Sequence, residues 1–198
     1  MNIIVKPYGS NLCYCRPDTT WERENKDFYS PECVNDIYWT PVVFARVSKA
    51  GKCVGRKFVE RYYDGVGCGM LLYCGTSTTS FEGSAGVRSL SEVVDRSSIL
   101  PHPLFQPVVL ESEKEFVVSC QHEAQDDAAL SHNIILSGAK DLLEEALCNA
   151  SQLTSLRIGD FVAVELSAPQ LVSTRQENET ALKATFCDNS IFDFRIIF

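Results

Sequence analysis

Near the C-terminus apolar and polar positions alternate. In "ALKATFCDNSIFDFRIIF" Phe192, Phe194, Ile196 and Phe198 fall on one side, and Ile191, Asp193, Arg195 and Ile197 on the other. A two-residue period sends successive side chains to opposite faces, so the segment predicts two strands joined at "DNS". "GDFVAVELS" follows a turn at Gly159 and repeats the pattern, with Val162, Val164 and Leu166 on one face. Between these strands and the middle of the chain the period changes. "AKDLLEEALCNASQL" places Leu142, Leu143, Ala146, Leu147 and Ala150 on one stripe, which predicts a helix. Asp141, Glu144 and Glu145 lie towards its first turns, where carboxylates suit the helix dipole.

The N-terminal half reads less regularly. Residues 1–5 predict a short strand, and 6–36, with Pro7, Gly9, Pro17 and Pro31, a long irregular segment. "IYWTPVVFARVS" is aromatic and β-branched, as a strand should be, and Pro41 inside it points to an edge or a bulge. Val54, Phe58 and Tyr62 recur at i+4 and predict a helix, which Gly65, Gly67 and Gly69 then break before a buried strand at "MLLYC". "EFVVSCQ" is a further strand. The expected class is mainly β with a few helices, a folded-over sheet or rolled barrel.

The chain has 198 residues, enough for one sizeable core, and its net charge of -8 with scattered basic residues disfavours nucleic acid as a partner. No run approaches the roughly 18 apolar residues of a membrane helix. "MNIIVKPYGS" has too short an apolar stretch for a signal-peptide core, so the expected location is cytoplasmic. The nine cysteines are then expected as reduced, mostly buried thiols.

Chemistry-bearing motifs are sparse. "GVGCG" lacks both phosphate-loop patterns, and Ser84 in "EGSAG" lacks the nucleophile-elbow pattern. His102, His122 and His132 are dispersed, and no Cys has a His beside it in sequence. Cys13, Cys15 and Cys33 could bind a soft metal, although no second CxxC or His accompanies them. Asp64 reads as a structural cap or ion-pair partner.

One stretch carries more. "KAGKCVGRKFVERYYDGVGCGM", followed by "FEGSAG", "SLRIGD" and "FDFRI" in the same order, resembles short bacterial members of the fumarylacetoacetate hydrolase family from about Tyr38 to the end. The first 36 residues match poorly. The resemblance implies a β-roll of mixed sheets around a central cavity and a homodimer. It divides the chain into an irregular lid segment (1–36) and a single domain (37–198). It also implies chemistry on acylpyruvates or related 2-oxo acids, assisted by Mg2+ or Mn2+. Such chemistry needs a hard cation held by carboxylates, which stabilises a developing enolate.

Carried over position by position, the resemblance places the family's metal carboxylates at Thr40, Val42 and Leu71, and its catalytic lysine at Thr79. The lid lacks the family's His. Glu82 and Glu165 are the candidates for lining the cavity. The implied cofactor is therefore none. The leading expectation is a divergent protein of this fold without the ancestral catalysis, which binds a small ligand or serves as a scaffold or partner subunit. Two alternatives stay open: an active metal-dependent hydrolase, isomerase or decarboxylase with a rearranged site, and a thiol or metal-binding protein using Cys13, Cys15 and Cys33.

Overall fold

A computed structural model describes residues 1–76, 92–122 and 130–198. Strands dominate it. In chain order they are β1 (Asn2–Lys6), β2 (Tyr14–Pro17), β3 (Trp21–Glu22), β4 (Phe28–Tyr29), β5 (Asp36–Val47), β6 (Tyr63–Gly75), β7 (Ser98–Ile99), β8 (Glu115–His122) and β9 (Leu130–Ile135). After the helix α1 (Ala139–Leu153) come β10 (Phe161–Glu165), β11 (Gln170–Thr174), β12 (Glu179–Phe186) and β13 (Asn189–Ile197). One sheet runs β2-β1-β10-β5-β6-β7-β3 with β11 also on β5, and the other runs β4-β13-β12-β8-β9. Both sheets mix parallel and antiparallel pairs, and together they nearly close into a barrel-like shape.

The long strands β5 and β6 form the spine, paired from Asp36↔Gly75 to Val47↔Tyr63. Both of their faces are covered, which is why they read as near-continuous apolar runs. Ile37, Trp39, Val43 and Ala45 turn into the main core, with Cys68, Met70 and Leu72, against the second sheet and α1. Val42, Phe44, Leu71 and Tyr73 turn the other way, into a smaller core with Ile3, Val5, Leu100 and Phe161.

Several sequence expectations hold. The helix spans Ala139–Leu153 and buries Leu143, Ala146, Leu147 and Ala150, although Leu142 at 40% exposure lies off the stripe. The strands β12 and β13 form a hairpin whose turn residues Cys187 and Asp188 both have positive φ, as a tight hairpin turn demands. Val162 and Val164 face the main core, with Leu166 packed against it.

Others are corrected. Between Val54 and Tyr62 the chain forms a 3-10 turn over Arg56–Arg61 rather than an α-helix. Phe58 N–H reaches Gly55 O and Tyr62 N–H reaches Val59 O, three residues back. The tighter winding buries Val59 and leaves Phe58 exposed beneath the Arg61 guanidinium. The three glycines do not lie between a helix and the strand but within β6 itself, which begins at Tyr63. A Cβ on Gly67 would come 2.6 Å from Phe44 Cζ, so glycine lets the ring lie flat on the strand.

Pro41 sits in a central strand, not at an edge. Its carbonyl accepts from Leu166 N–H, so its ring nitrogen faces the same side, where the chain passes from β10 to β11 and the ladder is interrupted. The segment 6–36 is less irregular than expected. Its short strands β2, β3 and β4 extend both sheets, because Ile3, Val5 and Phe28 need cover on faces that the long strands leave open. The very apolar β13 lies between β4 and β12, with Phe192, Phe194 and Ile196 buried inside one chain.

Candidate functional site

The three strands β6, β5 and β10 bring four of the expected residues onto one face. Thr40 pairs across the ladder with Leu71, and Val42 pairs with Leu71's neighbour-but-one Gly69 on one side and with Glu165 on the other. Residues directly opposite in an antiparallel pair share a face, as do alternate residues of one strand. Thr40, Val42, Leu71 and Glu165 therefore form one patch. All four are buried, and Val42 and Leu71 belong to the smaller apolar core. Thr79 and Glu82 lie outside the described residues, as does Ser84.

A polar cluster that strand reading alone did not single out adjoins this patch. Tyr73, two residues beyond Leu71 and so on the same face, donates its hydroxyl to Glu165 Oε1. Tyr8 N–H donates to Glu165 Oε2 at 2.9 Å, which fixes the N-terminal segment onto β10. The hydroxyls of Tyr14 and Tyr73 lie 2.6 Å apart. Arg16 is fully buried beneath them, with its guanidinium carbon 4.7 Å from the Tyr73 ring centre. Arg16 donates to the carbonyls of Leu72 and Ser97 and to the hydroxyls of Ser97 and Ser98, while its Nε has no partner among the described residues. Burial foremost, with Glu165 and against the opposing pull of Arg16, sets the phenols. Tyr73 and Tyr14 are both pushed above the usual phenol range, so both remain neutral donors.

The residues at these positions do not fit a divalent cation. Mg2+ or Mn2+ takes several oxygen ligands, carboxylates foremost. Here two positions are hydrocarbon. The Thr40 hydroxyl donates to Ser167 O at 2.7 Å, and the carboxyl of Glu165 is engaged by Tyr73 and Tyr8. Arg16 brings a permanent positive charge into the same neighbourhood. Among the described residues no three His, Cys, Asp or Glu side chains gather where they could hold a metal ion. Cys13, Cys15 and Cys33 are therefore not assembled as a metal site. Cys13 is influenced by Cys15, whereas Cys33 lies near Cys74.

The other candidates separate in the same way. His102 packs edge-on to Trp21 at 5.6 Å and His132 edge-on to Trp39 at 5.4 Å, while His122 contacts Glu177 at 3.2 Å. Asp64 pairs with Arg46 through two contacts of 2.9 and 3.0 Å, a surface ion pair. On the main-core side of the same strands lies a cleft of about 370 Å³, lined by Trp39, Pro41, His132, Ile134, Leu166 and Gln170 among others.

No protein-family model matches the sequence, and neither does any curated protein. Solved structures do match in fold. One is a fumarylacetoacetate hydrolase family protein from Yersinia pestis CO92, with TM-score 0.72 and 13% identity over 99% of this chain and 92% of that one. A second is fumarylpyruvate hydrolase from Pseudomonas aeruginosa in complex with Mn2+ and pyruvate, with TM-score 0.69 and 13% identity over 100% and 90% of the two chains. A third is maleylpyruvate hydrolase from Sphingobium sp. SYK-6, with TM-score 0.68 and 12% identity over 98% and 69%. This chain has the fumarylacetoacetate hydrolase fold, the one that its sequence resemblance implied. At such identities the likeness speaks to fold, and function must be argued from the residues.

Proposed function

We propose that this chain is a binding protein built on the fumarylacetoacetate hydrolase fold, without the hydrolase activity that the names of its structural neighbours describe and without a bound divalent cation. The observation that carries this reading is the patch of Thr40, Val42 and Leu71, buried on one face with no carboxylate among them and with Arg16 nearby. Chemistry through an enolate needs its developing negative charge stabilised. Removing a single such group costs on the order of 10²–10³ in rate, and here every position matched to a metal carboxylate is neutral.

The cleft beside Trp39 supports a small-molecule ligand. Its volume falls in the usual range for ligand sites, and it combines aromatic, aliphatic and amide groups without a net charge. The nine cysteines are all free thiols, which supports a reducing, cytoplasmic setting. A homodimer belongs to the same proposal through the resemblance. The apolar last strand does not add to it, since β13 is enclosed within one chain.

The test is a spectrophotometric assay of acylpyruvate cleavage and oxaloacetate decarboxylation, with Mg2+ and Mn2+ each tried. No turnover above background is expected. Turnover that disappears with chelator would favour the active-enzyme reading instead. Light scattering at micromolar concentration should give twice the chain mass, and a monomer would remove the dimer from the proposal.

A further inference from the structure

A second constellation lies away from this patch, on the other sheet. Cys120 and His122 alternate on β8 and so project to the same face. Cys120 Sγ lies 3.7 Å from His122 Nε2. His122 Nδ1 lies 3.2 Å from Glu177 Oε1 and 3.1 Å from Thr180 Oγ1, the hydroxyl of its cross-strand partner on β12. Glu177 is itself held, because its Oε2 accepts from Thr174 N–H at 2.7 Å. Thr180 is tied in turn to Ser173 Oγ at 2.7 Å.

A proton on Nδ1 is the arrangement that suits both neighbours there, since an ionised Glu177 carboxylate only accepts and the Thr180 hydroxyl can also accept. Nε2 then bears the lone pair, and this lone pair faces the thiol. A nucleophile, a base and a group that orients the base stand in the order that activated nucleophiles require. The three come from β8 and from the turn between β11 and β12, far apart in sequence.

Burial of Cys120 pushes its thiol up to about 11, so the free thiolate is scarce at neutral pH. Any reaction of this sulfur must then remove its proton as it attacks, which is what a neutral imidazole at Nε2 does. Access is narrow, because Cys120 is 4% exposed while the His122 side chain is 22% exposed. Such low exposure disfavours a bulky reagent and favours one little larger than water.

We propose that Cys120 is a modification site for small hydroperoxides, with His122 as its general base and Glu177 as a positioning residue. As the sulfur attacks one peroxide oxygen, its proton passes to His122 Nε2 and an S–O bond forms. The O–O bond breaks, and the departing hydroxide, or alkoxide from an alkyl hydroperoxide, takes the proton from His122 and leaves as water or the alcohol. The sulfur is oxidised from thiol to sulfenic acid and the peroxide is reduced.

The experiment uses the full chain and hydrogen peroxide, quenched at intervals, denatured in an alkylating agent and mapped by peptide mass spectrometry. The exposed thiols Cys15, Cys33 and Cys53 serve as internal references. Cys120 should oxidise faster than all three. His122→Gln should slow it on the order of 10²-fold, the lower end of what a general base contributes, and leave the references unchanged. Glu177→Gln should slow it less, and Glu177→Asp should restore part of the loss, which a role confined to packing would not produce. A large maleimide should spare Cys120 in the native chain. If Cys120 oxidises no faster than the references, or if His122→Gln leaves its rate unaltered while circular dichroism shows the fold intact, the proposal is overturned.

Discussion

Val42 and Glu165 face one another across the β5–β10 ladder, a hydrocarbon opposite a carboxyl in a buried part of the sheet. The pairing is tolerated because the carboxyl reaches sideways to Tyr73 and Tyr8 rather than across to its partner. It also defines what this face can and cannot accept.

A second carboxyl here should not be tolerated without a counter-charge. Val42→Glu would set like groups directly opposite, within an apolar core. The expected loss is about 3 kcal/mol or more, since an unpaired buried charge is among the costliest changes. In the combined variant Thr40→Glu, Val42→Glu, Leu71→Asp, Mn2+ should recover part of the lost melting temperature. Unaltered protein should melt at the same temperature with Mn2+ as with chelator. A rise with Mn2+ in unaltered protein would show a metal site and count against the proposed function.

Tyr73→Phe removes one of the donors to Glu165 and the contact to Tyr14. A buried polar group that loses its partner costs about 1–3 kcal/mol. Because the two groups share one hydrogen bond, Tyr73→Phe and Glu165→Gln should together cost less than their sum. Urea unfolding of the four proteins in that cycle measures the coupling, and strict additivity would show the contact to be inert.

Cys74 gives a pH prediction with a definite sign. Burial foremost pushes its thiol up to about 12, from 9.0. The folded state thus binds this proton more tightly than the unfolded chain does. The stabilisation is complete below about pH 9 and is lost as pH rises from there towards 12. Between those limits it falls by about 1.4 kcal/mol per pH unit. Cys74→Ala should therefore show a shallower alkaline loss of stability than unaltered protein, whatever its offset at neutral pH. Parallel slopes between about pH 9 and about pH 10.5 would refute the assignment.

Gly67→Ala tests the close approach of Phe44 to β6. The added methyl would sit 2.6 Å from the ring, and the ring is enclosed, so an overpacking cost of about 1–3 kcal/mol is expected. Phe44→Leu in the same chain should recover part of it by making room. If Gly67→Ala unfolds at the same urea concentration as the parent, the strand has slack that the packing does not suggest.

Much of the secondary structure was legible in the sequence, because it follows from local periodicity. The β12–β13 hairpin announces itself through alternation around "DNS", although Ile191 joins Phe192 in the core, and α1 through its apolar stripe, of which Leu142 alone stays exposed. The absence of carboxylates at Thr40, Val42 and Leu71 was equally plain. Alternation alone also predicts that Thr40 and Val42 share a face. Where windings compete locally, as between Val54 and Tyr62, the same spacing served two periods, and the need to bury Val59 decided for the tighter one.

Only the tertiary structure decided what meets across strands. Glu165 could have faced either way until the β10–β5 register set it opposite Val42, and Tyr73 became its partner only through the pairing of β5 with β6. Arg16 lies in a stretch that reads as loop, yet pairing of β2 with β1 carries it beneath two phenols where its charge is compensated by carbonyls. Cys120 and His122 were visible as neighbours-but-one, but Glu177 reaches them from more than fifty positions away. The physical reason is the same in each case. A side chain's direction is a property of its own strand, whereas its partner depends on register between strands, and register is set by burying both faces of the sheet at once.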